Sequence, residues 1–377
     1  MLSCEAYLGI PTRYPHWSYG KAYDKKKTLY SLNIVGLPYE MVINSNPCLA
    51  YLMKNNTLLL QILTMAHVYG HNDFFANNRM FLEGTKAENT IEKFKLDAEV
   101  IRRYINDYNI GYERVEKILD AAHSIRYQIP RTIGFKGLSK DLMTFIIENS
   151  PLENWAKNIL KIVKRETEYF IPQIETKIMN EGWASFWHYN ILNSLNLETK
   201  LHIEFLKRHN DVVAPVIGTI NPYYVGFKIF QDIEKRYGRE KIFEVRKNER
   251  DSSFLRKYLT RELCDEMNLY QYAKKSFDYI IKEVADEDGW IEIRNYLSDT
   301  CGVADIPYIE VIDFDKGNLA LRLEHCFDGR ELKMNYAKET LKYIKALWGN
   351  KVILKTKNKD DKEIEIVCDK EGKVYIN

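Results

Sequence analysis

From Leu58 to Ala66 the chain reads Leu-Leu-Leu-Gln-Ile-Leu-Thr-Met-Ala, and helical spacing holds from there to about residue 77. Thr57 is a suitable N-cap for it. Before Tyr69 such a helix is apolar on nearly every face, which predicts burial within a larger assembly of helices. A chain of 377 residues is long enough to build that assembly. The run is too short to span a bilayer, and Gln61 interrupts it.

The polar residues on this helix carry the chemistry. His67 and His71 sit one turn apart and share a face. Gly70 between them lowers helix stability, a pattern that marks close approach of another group or backbone. A second helical stretch holds Glu181 and His188, two turns apart and offset by about 20° around the axis. Imidazole, imidazole, carboxylate and imidazole make a first shell for zinc or a similar divalent ion. Seven residues rise about 10.5 Å, so either Glu181 or His188 serves as outer partner or acid/base, and His188 is the one to give up. Zinc peptidases place Glu directly after the first His of such a pair; here Val68 stands there. A base then comes from Glu181 or from Asp73. Asp73 stands equally as a carboxylate orienting a histidine or as a plain helix-end acid.

Weaker candidates accompany these. Asp120 and His123 have i, i+3 ligand spacing and fit either a dinuclear bundle site or an ordinary amphipathic face. His202 and His209 lie on a charged helix, which predicts exposure. Arg165 and Glu166 read as a structural ion pair. There is no Gly-rich phosphate loop, G-x-S-x-G elbow or cysteine nucleophile motif.

A formal charge of +2 gives no field that would recruit nucleic acid or an anionic membrane. No transmembrane segment or signal peptide is legible. The six cysteines are scattered without a C-x-x-C pair, which predicts reduced thiols and a cytoplasmic location.

The pattern along the chain predicts a mainly α protein. Residues 1–45 read as an irregular, aromatic-rich segment packed on the body. Residues 46–304 read as a helical domain carrying the metal site, entered at Asn46-Pro47. Its helices are expected at 58–77, 90–107, 112–126, 139–149, from Ser150-Pro151 to Ile171 where Pro172 stops or kinks it, then through Glu181 to 195, and at 198–209, 222–237, 252–264 and 268–285. Residues 305–377 read as a small α+β module of order ββαβββ.

The runs Ala66-His67-Val68-Tyr69-Gly70-His71-Asn72-Asp73-Phe74-Phe75 and Met179-Asn180-Glu181-Gly182-Trp183-Ala184-Ser185-Phe186-Trp187-His188 resemble the stage V sporulation protein R family. So do Pro11-Thr12-Arg13-Tyr14-Pro15-His16-Trp17-Ser18, Asn221-Pro222-Tyr223-Tyr224-Val225-Gly226, Asp251-Ser252-Ser253-Phe254-Leu255 and Phe327-Asp328-Gly329-Arg330-Glu331-Leu332. The resemblance spans essentially the whole chain. It implies a role in forming the spore cortex, a modified peptidoglycan, with protein partners of cell-wall assembly. Relatives in bacteria that make no spores imply a broader biochemical role. Members usually carry several dozen more residues before the Pro11 run, so a truncated or alternatively started chain is expected.

Together these readings predict a zincin-like, metal-dependent hydrolase: zinc on His67, His71 and Glu181, His188 as fourth ligand or acid/base, and Asp73 orienting a histidine or activating water. The competing expectation is a non-enzymatic regulator or scaffold of cortex assembly, with the same residues forming a buried polar network or structural metal site. A dinuclear oxidative site on Asp120 and His123 ranks last.

Overall fold

In a computed structural model of the chain, the described residues are 2–31, 40–85, 87–130, 141–215, 219–269, 271–275, 278–283, 288–314, 317 and 319–377. The protein is mainly α, with a small C-terminal five-stranded sheet. It divides into two compact units. One comprises Met1–Pro11, Ala22–Ile91 and Ile171–Asp305; the other comprises Thr12–Lys21, Glu92–Phe170 and Ile306–Asn377.

The first unit is built around three helices. The histidine helix, Leu58–Asn77, starts where the sequence places it, with Thr57 Oγ1 accepting from the Leu60 N–H at 3.3 Å. The tryptophan helix, Lys177–Ser194, packs against it and against the helix Pro222–Tyr237. Their backbones approach closely because glycines stand at the crossings. A Cβ on Gly70 would lie 2.6 Å from Ala184 Cα, and one on Gly182 would lie 2.4 Å from Gly226 Cα. The close approach expected at Gly70 is therefore present. Trp183, fully buried, fills the space beside these contacts with Phe186 and Phe230.

Thr176, which precedes the tryptophan helix, makes no side-chain cap. Buried Asp251 caps it from another helix instead, its two carboxylate oxygens accepting from the N–H groups of Ile178 and Met179 at 2.9 Å each. A helix start leaves unpaired N–H groups carrying partial positive charge, which favour the charged form of the acid, but burial outweighs them and pushes the Asp251 carboxyl up to about 8.

Several expectations need correction. The stretch after Asn46-Pro47 is not helical: strands Glu40–Ile43 and Leu49–Leu52 pair antiparallel across a turn containing a cis Asn46–Pro47 bond. Trp17–Ser31 is a helix although its sequence has no period, since it buries only Tyr19 among its described side chains. The helix after Ser150 begins at Asn154 and runs through Pro172 to Glu175, where the proline sits within its last turn. Two helices, Asp251–Tyr258 and Arg261–Glu266, replace one, because Thr260 caps a fresh start through Leu263. The helix expected at 268–285 is a hairpin of Gln271–Lys275 with Asp278–Glu283, a stretch rich in Tyr and Ile; 270, 276–277 and 284–285 lie outside the described residues. Helices Arg239–Asn248 and Gly289–Thr300 had no counterpart in the sequence reading. The histidine helix is also less enclosed than its composition suggests, for Leu58, Met65 and Tyr69 form an exposed stripe on it.

The second unit contains helices Gly111–Ser124 and Leu142–Asn149 and the C-terminal module. Residues 139–140 of the expected 139–149 helix lie outside the described residues. The module has the expected ββαβββ order. Strand Ile309–Phe314 pairs antiparallel with Leu321–His325, and helix Met334–Trp348 makes the crossover to Val352–Lys357, which lies parallel to Leu321–His325. Glu363–Cys368 and Val374–Ile376 complete the sheet antiparallel. A parallel neighbour requires such a crossover, because a tight turn can only reverse the chain.

Candidate metal centre

The histidine and tryptophan helices bring His67, His71 and Glu181 together. Glu181 Oε2 lies 3.7 Å from His67 Nε2 and 3.5 Å from His71 Nε2. A carboxylate that sequence reading missed joins them: Glu40, on the hairpin strand Glu40–Ile43, reaches within 3.9 Å of His67 Nε2. Donor atoms of Glu40, His67 and His71 all lie within 4.8 Å of one another. The imidazoles are buried, while Glu40 and Glu181 keep about a fifth of their side chains exposed (19% and 20%). The imidazoles thus lie deeper than the carboxylates.

The spacing suits an ion better than hydrogen bonds. N–H···O contacts between such groups run at about 2.7–2.9 Å. A tetrahedron with bonds of about 2.1 Å has ligand–ligand edges of about 3.4 Å. His67 Nε2 and Glu181 Oε2 are buried without a hydrogen-bond partner. Such atoms are costly to leave unpaired. A cation between them would satisfy both.

The far side of each ring is anchored. His71 Nδ1 donates to Asn180 Oδ1 at 2.9 Å, which leaves its Nε2 lone pair turned to Glu181. Burial, then the neighbouring His67, lowers the His71 pKa to about 4, so at neutral pH the ring is the uncharged form that ligates. His67 Nδ1 pairs with His188 Nδ1 at 2.9 Å, and His188 Nε2 pairs with His209 Nδ1 at 2.7 Å. Burial raises the Glu181 carboxyl, but His67 and His71 outweigh it, and the net direction is down. Burial moves Glu40 up, against the pull of His67. Tyr223 stacks on His67 with ring centroids 6.0 Å apart. The Glu181 charge, with burial second, pushes its phenol well above the ordinary value.

The other sequence candidates have different tasks. Both ring nitrogens of His188 are engaged by histidines, so it stands behind His67. Asp73 accepts from Trp183 Nε1 at 2.9 Å and from Asn77 at 3.1 Å, with Arg246 3.6 Å away, and so ties the histidine helix to the tryptophan helix. His209 is buried at 3% exposure, contrary to the expectation from its charged helix; it lies on the one face that turns inward with Phe205. Asp120 and His123 belong to the second unit, where Asp120 binds His16 and Trp17 and His123 binds Tyr14. Arg165 and Glu166 do not pair with each other: Arg165 meets Asp97, and Glu166 meets Arg13 at 2.8 Å.

Glu40 had one legible signal. It is the only acidic residue between Asp24 and Asp73, and it stands in an otherwise apolar Met-Val-Ile stretch. Tyr223 and Asn180 carried none beyond their place in motifs.

Among the described residues, no helix is long and apolar enough to cross a membrane. No solved structure matches the chain. The chain is 32% identical to the "Uncharacterized protein YcgB" of Escherichia coli strain K12 over 443 residues, covering 96% of this chain and 86% of that one. The SpoVR like protein family matches residues 1–140 and 135–306, and the SpoVR-like C-terminal domain matches 307–359. With residues 1–359 matched, this chain belongs to the SpoVR family.

Proposed function

We propose that this SpoVR-family chain binds a divalent metal, zinc by its donor set, through His67, His71 and Glu181, and acts as a metal-dependent hydrolase. The observation that carries this reading is the pair of orphaned buried atoms, His67 Nε2 and Glu181 Oε2, facing each other at 3.7 Å. Three protein ligands leave a fourth position for water, the pattern of catalytic zinc sites. A bound zinc lowers the pKa of that water towards neutrality and polarises a carbonyl. Glu40 then takes the place of the glutamate that zinc peptidases carry after their first histidine. Its upward-shifted carboxyl suits a group that takes a proton from water and passes it to a leaving group. The substrate class, a peptidoglycan amide handled in the cytoplasm or at its boundary during cortex formation, rests on the family's association alone.

A second reading is favoured by one observation. Glu40 lies 3.9 Å from His67 Nε2, close to the 3.7 Å of Glu181. If Glu40 is a fourth ligand, the shell is closed, as in structural zinc sites, and the protein is a regulator or scaffold. Metal analysis of untagged protein, with His67→Ala, Glu181→Ala and Glu40→Gln, separates the readings. Hydrolysis predicts one ion per chain, lost in the first two variants and kept in Glu40→Gln while amide cleavage disappears. Loss of the ion from Glu40→Gln supports the closed site. A parent protein that takes up no zinc, cobalt or manganese refutes both metal readings.

A further inference from the structure

Behind the metal centre lies a row of three histidines from three helices. His67 belongs to Leu58–Asn77, His188 to Lys177–Ser194 and His209 to Thr199–Val212. Their contacts are 2.9 Å, Nδ1 to Nδ1, and 2.7 Å, Nε2 to Nδ1. His188 is fully buried and His209 nearly so, so water is a poor substitute partner for either. We propose that His188 and His209 are positioning residues that hold His67 in the one tautomer able to ligate metal. This rests on the metal reading above.

The argument is one of hydrogen count. A neutral imidazole carries one N–H, and the other nitrogen accepts. His67 offers its Nε2 lone pair to an ion only when its hydrogen is on Nδ1. That N–H donates to His188 Nδ1, so the hydrogen of His188 must be on Nε2. His188 Nε2–H in turn needs an acceptor, and His209 Nδ1 is in place at 2.7 Å. Each ring therefore dictates the next: the row leaves His67 Nε2 free only when His209 carries its own hydrogen on Nε2 and accepts at Nδ1, and it runs the other way when His209 Nδ1 donates. Without that acceptor, His188 loses its preference for Nε2–H. Its alternative form points an N–H at His67 Nδ1 and drives the His67 hydrogen onto Nε2, the atom that faces Glu181 and Glu40. His71 needs no such row because Asn180 Oδ1 can only accept.

His209 is held where this task requires. Its ring packs between Tyr189 and Phe227, each with centroids 4.8 Å away. The aromatic walls fix its plane and leave Nδ1 aimed at His188. The commonest partner of a ligating histidine is a carboxylate or a backbone carbonyl. Here two further imidazoles take that part.

The test uses the full-length chain and competition titration of zinc and of cobalt against a chelating dye. His209→Asn places an amide oxygen near the Nδ1 position and preserves the acceptor; His209→Gln carries its oxygen about one bond too far; His209→Phe keeps the packing and removes the acceptor. Loss of an outer partner typically weakens metal binding about 10–100-fold. We expect that loss in His209→Phe and His209→Gln, and binding within about threefold of the parent in His209→Asn. The Asn and Gln variants differ by one methylene, so a folding defect in Phe leaves the comparison intact. Equal affinity in all three variants and the parent, or equal weakening by Asn and Gln, overturns the positioning role while leaving the metal reading standing. A parent chain that binds neither ion overturns the metal reading and this proposal together.

Discussion

Replacing Gly182 by Ala tests whether backbone contact sets the geometry of the site. In the interior of a helix this change alone stabilises by about 1 kcal/mol, because alanine has less backbone freedom to lose. Here the new Cβ would lie 2.4 Å from both Cα and C of Gly226 and 2.8 Å from the Phe227 nitrogen. Carbon atoms pack at about 3.5–4.0 Å, so the helices must part locally by about 1.1 Å or more. The atoms met are backbone, which cannot rotate away. Overpacking of this kind costs about 1–3 kcal/mol, and the opposing propensity gain leaves a net loss of up to about 2 kcal/mol. The same shift moves Glu181, the next residue, away from the imidazoles, so zinc binding should weaken along with stability. Urea denaturation followed by tryptophan fluorescence reads the first effect, since Trp183 lies in this interface; dye competition reads the second. Gly20, in the helix Trp17–Ser31, is the control, for its Cβ would meet nothing within 4 Å. Gly20→Ala should leave stability unchanged or raise it by up to about 1 kcal/mol. A Gly182→Ala protein as stable as the parent, with zinc affinity unchanged, refutes the idea that the glycine crossing fixes the site.

Three other outcomes follow from the same contacts. Asp251→Ala should destabilise by about 1–3 kcal/mol, since it leaves the buried Ile178 and Met179 N–H groups without their acceptor; an unchanged urea midpoint would rule out the cap. Metal-free protein should lose stability in acid between about pH 6.5 and 4: His71 and His209, held to about 4 in the fold, take up protons more readily once unfolded. That loss is present below pH 6.5, grows as pH falls to 4, and amounts to about 1.4 kcal/mol per pH unit for each ring. Urea midpoints at pH 7 and 5 check it, and His71→Gln should have a shallower dependence than the parent. Added zinc should leave amide hydrogen exchange at residues 40–43 nearly unchanged, because His67, His71 and Glu181 hold the ion and Glu40 does not. Marked slowing there in a metal-loaded chain would make Glu40 a ligand and favour the closed site.

The parts of this protein that were legible in its sequence are those where local chemistry decides. Thr57 and Asn221 announce helix starts, Gly238 a helix stop, and the alternation around Ile309–Phe314 a strand. The convergence of His67, His71 and Glu181 was readable because helical spacing puts these side chains on facing stripes. What could not be read depends on partners distant in sequence. Glu40 enters the cluster only through a hairpin whose strands have no long period. His209 turns inward because one face of a charged helix meets Tyr189 and Phe227, and its neighbours in sequence do not reveal that. Asp73 lies two residues past His71, yet its carboxylate goes to Trp183, 110 residues away.

Because the tryptophan helix is capped by a carboxylate from elsewhere, the order of synthesis matters. The ribosome delivers the two imidazoles first, the acid more than a hundred residues later, and Asp251 last of all. Until that residue emerges, the first turn around Ile178 lacks its acceptor and Glu181 has no fixed seat. A nascent chain therefore carries the histidine pair without its acid partner through much of its translation, and the acid is seated beside the imidazoles only when the segment holding residue 251 docks.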